Sequence, residues 1–183
     1  MLLSRVADAL YWISRYLERA EHTARVIDIA RDLGLDRAAA ARSRAIDRLH
    51  SGLGLPARAE GERSLVNLAL FDTSHRHSVA ACVLAARDNA RQVREEISTD
   101  MWEQLNEFYL MVNSADAENG TDPQDLFASV RMAGHLFNGV TDSTMTHNES
   151  WHFCRLGRML ERADKTSRIL DVKYFLPLPS ADD

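Results

Sequence analysis

The sequence is short of residues that interrupt or staple a chain, with 4 prolines, 8 glycines and 2 cysteines in 183 residues. So few breakers leave room for long helices. Cys82 and Cys154 form no CxxC pair and both fall in helical patterns, which implies buried, reduced thiols in a cytoplasmic protein rather than a disulfide framework. No run of about 18 apolar residues is present, so no membrane-spanning helix is expected. Arg5 and Asp8 interrupt the apolar N-terminal stretch and no cleavage site follows it, so no signal peptide is expected there. An excess of positive charge is also missing. With 22 basic against 27 acidic residues and a net charge of −5, the chain lacks the field of a general nucleic-acid binder. There is no Walker loop, no GxGxxG after a strand, and no nucleophile–base ordering of the Ser/His/Asp or Cys/His kind.

What is present is an ordinary globular composition, 45% hydrophobic and 27% charged. The length suits one domain with a core of its own, expected over 1–178 with a polar tail over 179–183. The basic residues are nearly all arginine: twenty, against the lysines Lys165 and Lys173. A GC-rich genome produces such a bias. So does bidentate recognition of carboxylate or phosphate, for which the guanidinium fork is shaped.

Apolar residues recur at helical spacing along most of the chain. Val6, Leu10, Ile13, Leu17, Ala20, Ala24 and Ile27 advance in steps of 4 and 3, giving one long helix that Gly34 is placed to stop. An Ala/Arg-rich helix is expected from Asp36 to about His50, then a break at Gly52, Gly54 and Pro56, then a short helix over 63–71. Val79, Val83, Ala86, Ala90, Val93 and Ile97 form the next helix. Trp102, Leu105, Tyr109 and Val112 form the one after it, capped from Ser98 or Thr99. Asp122-Pro123 opens a helix carrying Leu126, Val130, Ala133, Phe137 and Val140. Thr146-His147-Asn148-Glu149 has capping-box spacing before a last helix whose seam is Phe153, Leu156, Leu160, Ala163, Ser167, Leu170 and Tyr174. Pro177 and Pro179 end it. No segment alternates with a strand period, so the expected fold is an all-α bundle of five to seven helices. Trp12, Trp102 and Trp151 are expected as core anchors.

One repeat runs through this pattern. Tyr16-Leu-Glu-Arg-Ala-Glu-His-Thr-Ala-Arg-Val-Ile-Asp28 aligns with Met159-Leu-Glu-Arg-Ala-Asp-Lys-Thr-Ser-Arg-Ile-Leu-Asp171 at an offset of 143. Glu18, Glu21, His22 and Arg25 share one helix face, as do Glu161, Asp164, Lys165 and Arg168; Arg19 and Arg162 flank them. A carboxylate beside an apolar seam needs a partner. The stripes therefore form either a Glu–Arg network that crosslinks the repeated helices and fixes their register, or a charged pocket. Arg87, Arg91 and Arg94 form a further stripe, with Asn89 beside it, that either pairs with the Glu18/Glu161 carboxylates or binds an anion. The Glu/His spacing does not match a di-metal carboxylate bundle, and no metal or cofactor is expected.

The segments Tyr16-Leu-Glu-Arg-Ala-Glu, Arg87-Asp-Asn-Ala-Arg-Gln-Val-Arg-Glu-Glu-Ile-Ser, Met101-Trp-Glu-Gln-Leu-Asn, Gly139 to Phe153, and Leu156 to Tyr174 occur in the order that resembles the bacterial alpha-E family. The resemblance covers most of residues 1–178 and is weakest over 36–64. It implies an all-helical fold and an accessory role beside a circularly permuted ATP-grasp ligase. A transglutaminase-like protein, and sometimes a proteasome-like peptidase, would accompany the ligase in making or processing an amide-linked product. It implies no catalytic residues. The motif positions it marks are Glu18, Arg19, Arg25, Arg87, Asn89, Arg91, Arg94, Asp142, His147, Glu149, Glu161, Arg162, Asp164 and Arg168; Glu21 joins them from the repeat itself. Members are usually longer past the second Glu-Arg helix, so that helix is expected either to be covered by another chain, including a second copy, or to pack back on the first half. The function expected is a non-catalytic binding protein that uses the Arg/Glu stripes to recognise an anionic ligand or partner. The alternatives are an amidoligase or hydrolase component, with Glu18 or Glu161 as a general base raised in pKa by burial, and a purely structural scaffold. No nucleic-acid or membrane partner is expected.

Overall fold

The computed structural model describes residues 2–35, 62–115 and 122–174. Six helices make up the described residues: α1 (Ser4–Leu35), α2 (Glu62–Phe71), α3 (Val79–Gln92), α4 (Thr99–Ser114), α5 (Pro123–Thr144) and α6 (Glu149–Tyr174). The helix expected over 36–50 and the proline stop at 177–179 lie outside the described residues.

Local chemistry sets most helix ends. Ser78 caps α3 by accepting from Ala81 N–H, Ser98 caps α4 by accepting from Met101 N–H, and Asp122 caps α5 by accepting from Gln124 N–H just ahead of Pro123. Two expectations about ends are corrected. The α3 helix does not run to Ile97. Val93 leaves helical geometry, its N–H bonds back to Ala90 O, and the chain turns there, although Val93 and Ile97 stay buried. The capping box at 146–149 does not form. Asn148 accepts from Ser150 and Trp151 N–H, while Glu149 accepts from the Leu2 N–H of the distant α1 entry instead of reaching back to Thr146.

Helices α1, α3, α4 and α5 form a ring in which each packs on its two neighbours. Cross-helix contacts show neighbours running antiparallel. Arg87 of α3 meets Asn106 of α4, Ser98 meets Thr144 at the α4/α5 end, and Arg131 of α5 meets Asp28 of α1. The core of this four-helix bundle is the α1 seam with Val83, Ala86, Phe108, Phe127 and Val130. The short α2 packs at the α1/α3 end.

The last helix packs on α1 from outside the ring. It runs parallel to α1: Leu2 meets Glu149, Tyr11 meets Gly157, and Glu18 meets Arg162. Close approach requires Gly157, since a Cβ there would lie 2.2 Å from Tyr11 O. The apolar seam expected to bury α6 does not do so. Its buried stripe is Ser150, Cys154, Gly157, Glu161 and Lys165, and Leu156, Leu160 and Leu170 face outward. Two further packing expectations change. The α4 core stripe is Met101, Leu105, Phe108 and Val112, with Trp102 and Tyr109 half-buried to one side. All three tryptophans are half-buried rather than core anchors. Each sits beside an arginine whose guanidinium lies over its ring, and Trp102 also packs against the edge of the core.

Candidate functional site

The two Glu-Arg dipeptides meet across the α1/α6 contact and exchange partners. Arg19 donates to Glu161 through Nε at 2.7 Å and Nη2 at 2.9 Å. Arg162 donates to Glu18 through Nε at 2.6 Å and Nη2 at 3.0 Å. Both pairs are bidentate and related by the 143-residue offset, so the repeat is a pseudo-twofold in space. The same relation holds a turn earlier, where Gly157 lies on Tyr11 and its equivalent Ser14 hydrogen-bonds Cys154, the equivalent of Tyr11. The network expected to crosslink the repeated helices is therefore present.

The two sides differ in burial. Glu161 is completely buried, and it collects Arg15 Nε at 2.7 Å as well as Arg19, with Lys165 Nζ at 3.7 Å. Burial pushes its carboxyl up, but hydrogen bonds and charge from Arg19, aided by Arg15 and Lys165, outweigh that and hold it at about 2. The alternative of Glu161 as a base raised in pKa is thus overturned: the group is ionised and both oxygens are occupied. Around it, burial and then the charge of Lys165 hold His22 at about 4, and burial and then Arg19 hold His77 at about 4. Both rings are neutral near pH 7. Lys165 is nearly buried, and desolvation lowers its pKa. Cys82, behind Arg19 and Glu161, is pushed by burial to about 12, and Cys154 to about 11; both are free thiols without nucleophilic character.

The remaining motif residues lie in three other places. Glu21 pairs with Arg25 one turn on, and His135 Nε2 of α5 lies 3.8 Å from it; Asp164 pairs with Arg168 at 3.1 Å. The α3 stripe does not pair with Glu18 or Glu161. Arg87 donates to Asn106 at 2.9 Å and lies 4.4 Å over the Tyr109 ring, and Arg94 lies over Trp102 and donates to Ile97 O. The reason is that α3 turns these residues toward the α4 aromatics while its apolar side takes the core. Asn89 is half-buried and Arg91 exposed on the same helix. At the α5/α6 junction, Trp151 Nε1 donates to Asp142 at 3.0 Å, His147 stacks on Trp151 at 4.1 Å, and Glu149 holds the α1 entry.

Sequence reasoning missed Arg15, Asp28, Arg131, His135 and Gly157 as contributors. Arg15 was legible, standing one turn before Arg19 at the repeat position of Arg158. The α5 residues carried no signal, because their partners lie more than a hundred positions away. Among the described residues, no group of three or more His, Cys, Asp or Glu is arranged to hold a metal. No described helix is long and apolar enough to cross a membrane.

Comparison with known proteins agrees with this architecture. No curated protein and no solved structure matches the chain. A family described as a predicted alpha-helical domain with a conserved ER motif matches residues 2–183. Glu-Arg dipeptides stand at Glu18-Arg19, Glu62-Arg63 and Glu161-Arg162, the first and last being the pair that clamps the two helices, and the chain belongs to the Alpha-E family.

Proposed function

We propose that the chain is a non-catalytic accessory domain that works in the cytoplasm beside a circularly permuted ATP-grasp ligase, in peptide or amide-bond synthesis or modification. A transglutaminase-like protein and a proteasome-like peptidase are further partners on this reading. The observation that supports a binding role over an enzymatic one is the state of Glu161. A general base needs a free lone pair and a pKa near the working pH, and this carboxylate has neither. The same saturation assigns Glu18, Arg19, Glu161 and Arg162 to building the domain. Recognition of an anionic ligand or partner falls to arginines outside that clamp that still face solvent: Arg25 and Arg168, with Arg91 on α3. Two buried, unpaired thiols suit a reducing compartment.

The test mixes the purified chain with an ATP-grasp ligase of the same organism, followed by co-elution and calorimetry. The expected result is a complex that the Arg91→Ala/Arg168→Ala variant weakens while its melting temperature moves little, since both arginines are exposed. No complex, or turnover by the chain alone that Glu161→Gln abolishes, would refute the reading.

A further inference from the structure

The pseudo-twofold between α1 and α6 makes their outer surroundings directly comparable. At equivalent positions Ile13, Leu17 and Ile27 are at most 4% exposed, whereas Leu156, Leu160 and Leu170 are 47%, 45% and 61% exposed. Met159 and Ile169 extend the exposed surface. In α1 this seam is the face on which α3 and α5 pack. In α6 the same seam has the same helical spacing, and no described residue buries it. A contiguous apolar stripe of this kind marks an interaction surface.

The first repeat shows what such a seam accepts. Helix α5 lies antiparallel on α1, and three of its residues fit the acidic edge. Gly134 leaves room for Glu21, since a Cβ there would come within 3.2 Å of Oε2. His135 approaches Glu21, and Arg131 binds Asp28. The repeat equivalents of Glu21 and Asp28 are Asp164 and Asp171. Asp164 is partly exposed; among the described residues its ion pairs are with Arg168 and Lys165 of its own helix, and the neutral His22 ring of α1 faces it.

We propose that the outer face of α6 docks an amphipathic helix of a partner protein, packed antiparallel as α5 packs on α1. That helix carries an apolar face and two basic residues one turn apart, with a small residue between them. Its apolar face covers Leu156, Leu160 and Leu170, and a cation meets Asp164. The proposal does not depend on the partner being a ligase.

The probe is a fluorescein-labelled peptide of residues 122–146, the helix that already fits α1. It is added to the full chain, whose own α1 site is filled. Saturable binding is expected by fluorescence anisotropy. Leu160→Asp, and separately Leu156→Asp, should weaken it by roughly tenfold or more, and Asp164→Lys by a few-fold. Circular-dichroism melts of the two leucine variants should match wild type, because those side chains are exposed. A peptide with Arg131→Glu and His135→Glu should bind more weakly to wild type than the native peptide. No binding, or binding that both leucine variants leave unchanged, overturns the proposal. So does a homodimer in sedimentation equilibrium that Leu160→Asp dissociates, because a second copy then occupies the face.

Discussion

Helices α1 and α6 carry the same motif in the same register and have opposite environments. The α1 helix is buried on nearly every side, by α3 and α5 on its seam and by α6 along its charged stripe. The α6 helix is buried only along a stripe of small and charged residues, and its leucines face out. The two halves of the clamp differ in the same direction. Arg19 is 10% exposed and shares its carboxylate with Arg15 and Lys165, whereas Arg162 is 52% exposed and holds Glu18 alone. Identical chemistry therefore carries different energies, because a pair desolvated on both sides is costlier to break than one whose arginine stays half in water.

The seam should separate the halves most sharply. Leu17→Ala is expected to cost about 2–5 kcal/mol, and Leu160→Ala to stay within about 0.5 kcal/mol of wild type, as read from urea midpoints. Equal losses would mean that α6 is covered in solution. The clamp should follow. Arg19→Ala leaves a fully buried carboxylate short of donors and should cost about 3–5 kcal/mol, a drop of roughly 6–20 °C in melting temperature, against about 1–3 kcal/mol for Arg162→Ala, where water can reach the half-exposed site and replace part of what Glu18 loses. A double-mutant cycle across Arg19 and Glu161 should give the larger coupling. Smaller again is the backbone contact. Gly157→Ala forces the helices apart and should cost about 1–3 kcal/mol, whereas Gly139→Ala, whose Cβ meets nothing, should stabilise by a few tenths to about 1 kcal/mol.

The pH response probes the same buried half of the clamp. His22 and His77 are held at about 4, below the ordinary 6.5, so between these values the unfolded chain binds more protons than the folded one. Stability falls as pH drops through that window. His22 faces Lys165, Glu161, Arg25 and Asp164, and His77 faces Arg19, Lys165, Arg76 and His75. Glu161, depressed to about 2 from 4.5, adds a further loss as pH falls through and below 4.5. His22→Gln should flatten the slope between pH 6.5 and 4 and leave the lower limb in place.

Periodicity and caps made the helices legible, and the 143-residue offset made the clamp legible as a crosslink. What the sequence did not carry was which side of α6 faces α1. Its leucine seam looks like a core seam by spacing, but Gly157 and the Glu161 carboxylate claim the α1 contact, since only they permit close approach and bidentate pairing. Likewise Trp102 and Tyr109 have core spacing, yet the Arg87 guanidinium takes their faces and the stripe beginning at Met101 fills the interior. In each case long-range partners, invisible to local spacing, decided between two helix faces.

The exchange of partners between the two Glu-Arg dipeptides constrains how the sequence can vary. Each Glu is tied not to its own repeat equivalent but to the neighbour of that equivalent, Glu18 to Arg162 and Glu161 to Arg19. Among relatives of this chain, substitutions should then be correlated between 18 and 162 and between 19 and 161, and uncorrelated between 18 and 161. One duplicated dipeptide encodes two locks, and each can drift only together with its partner on the other helix.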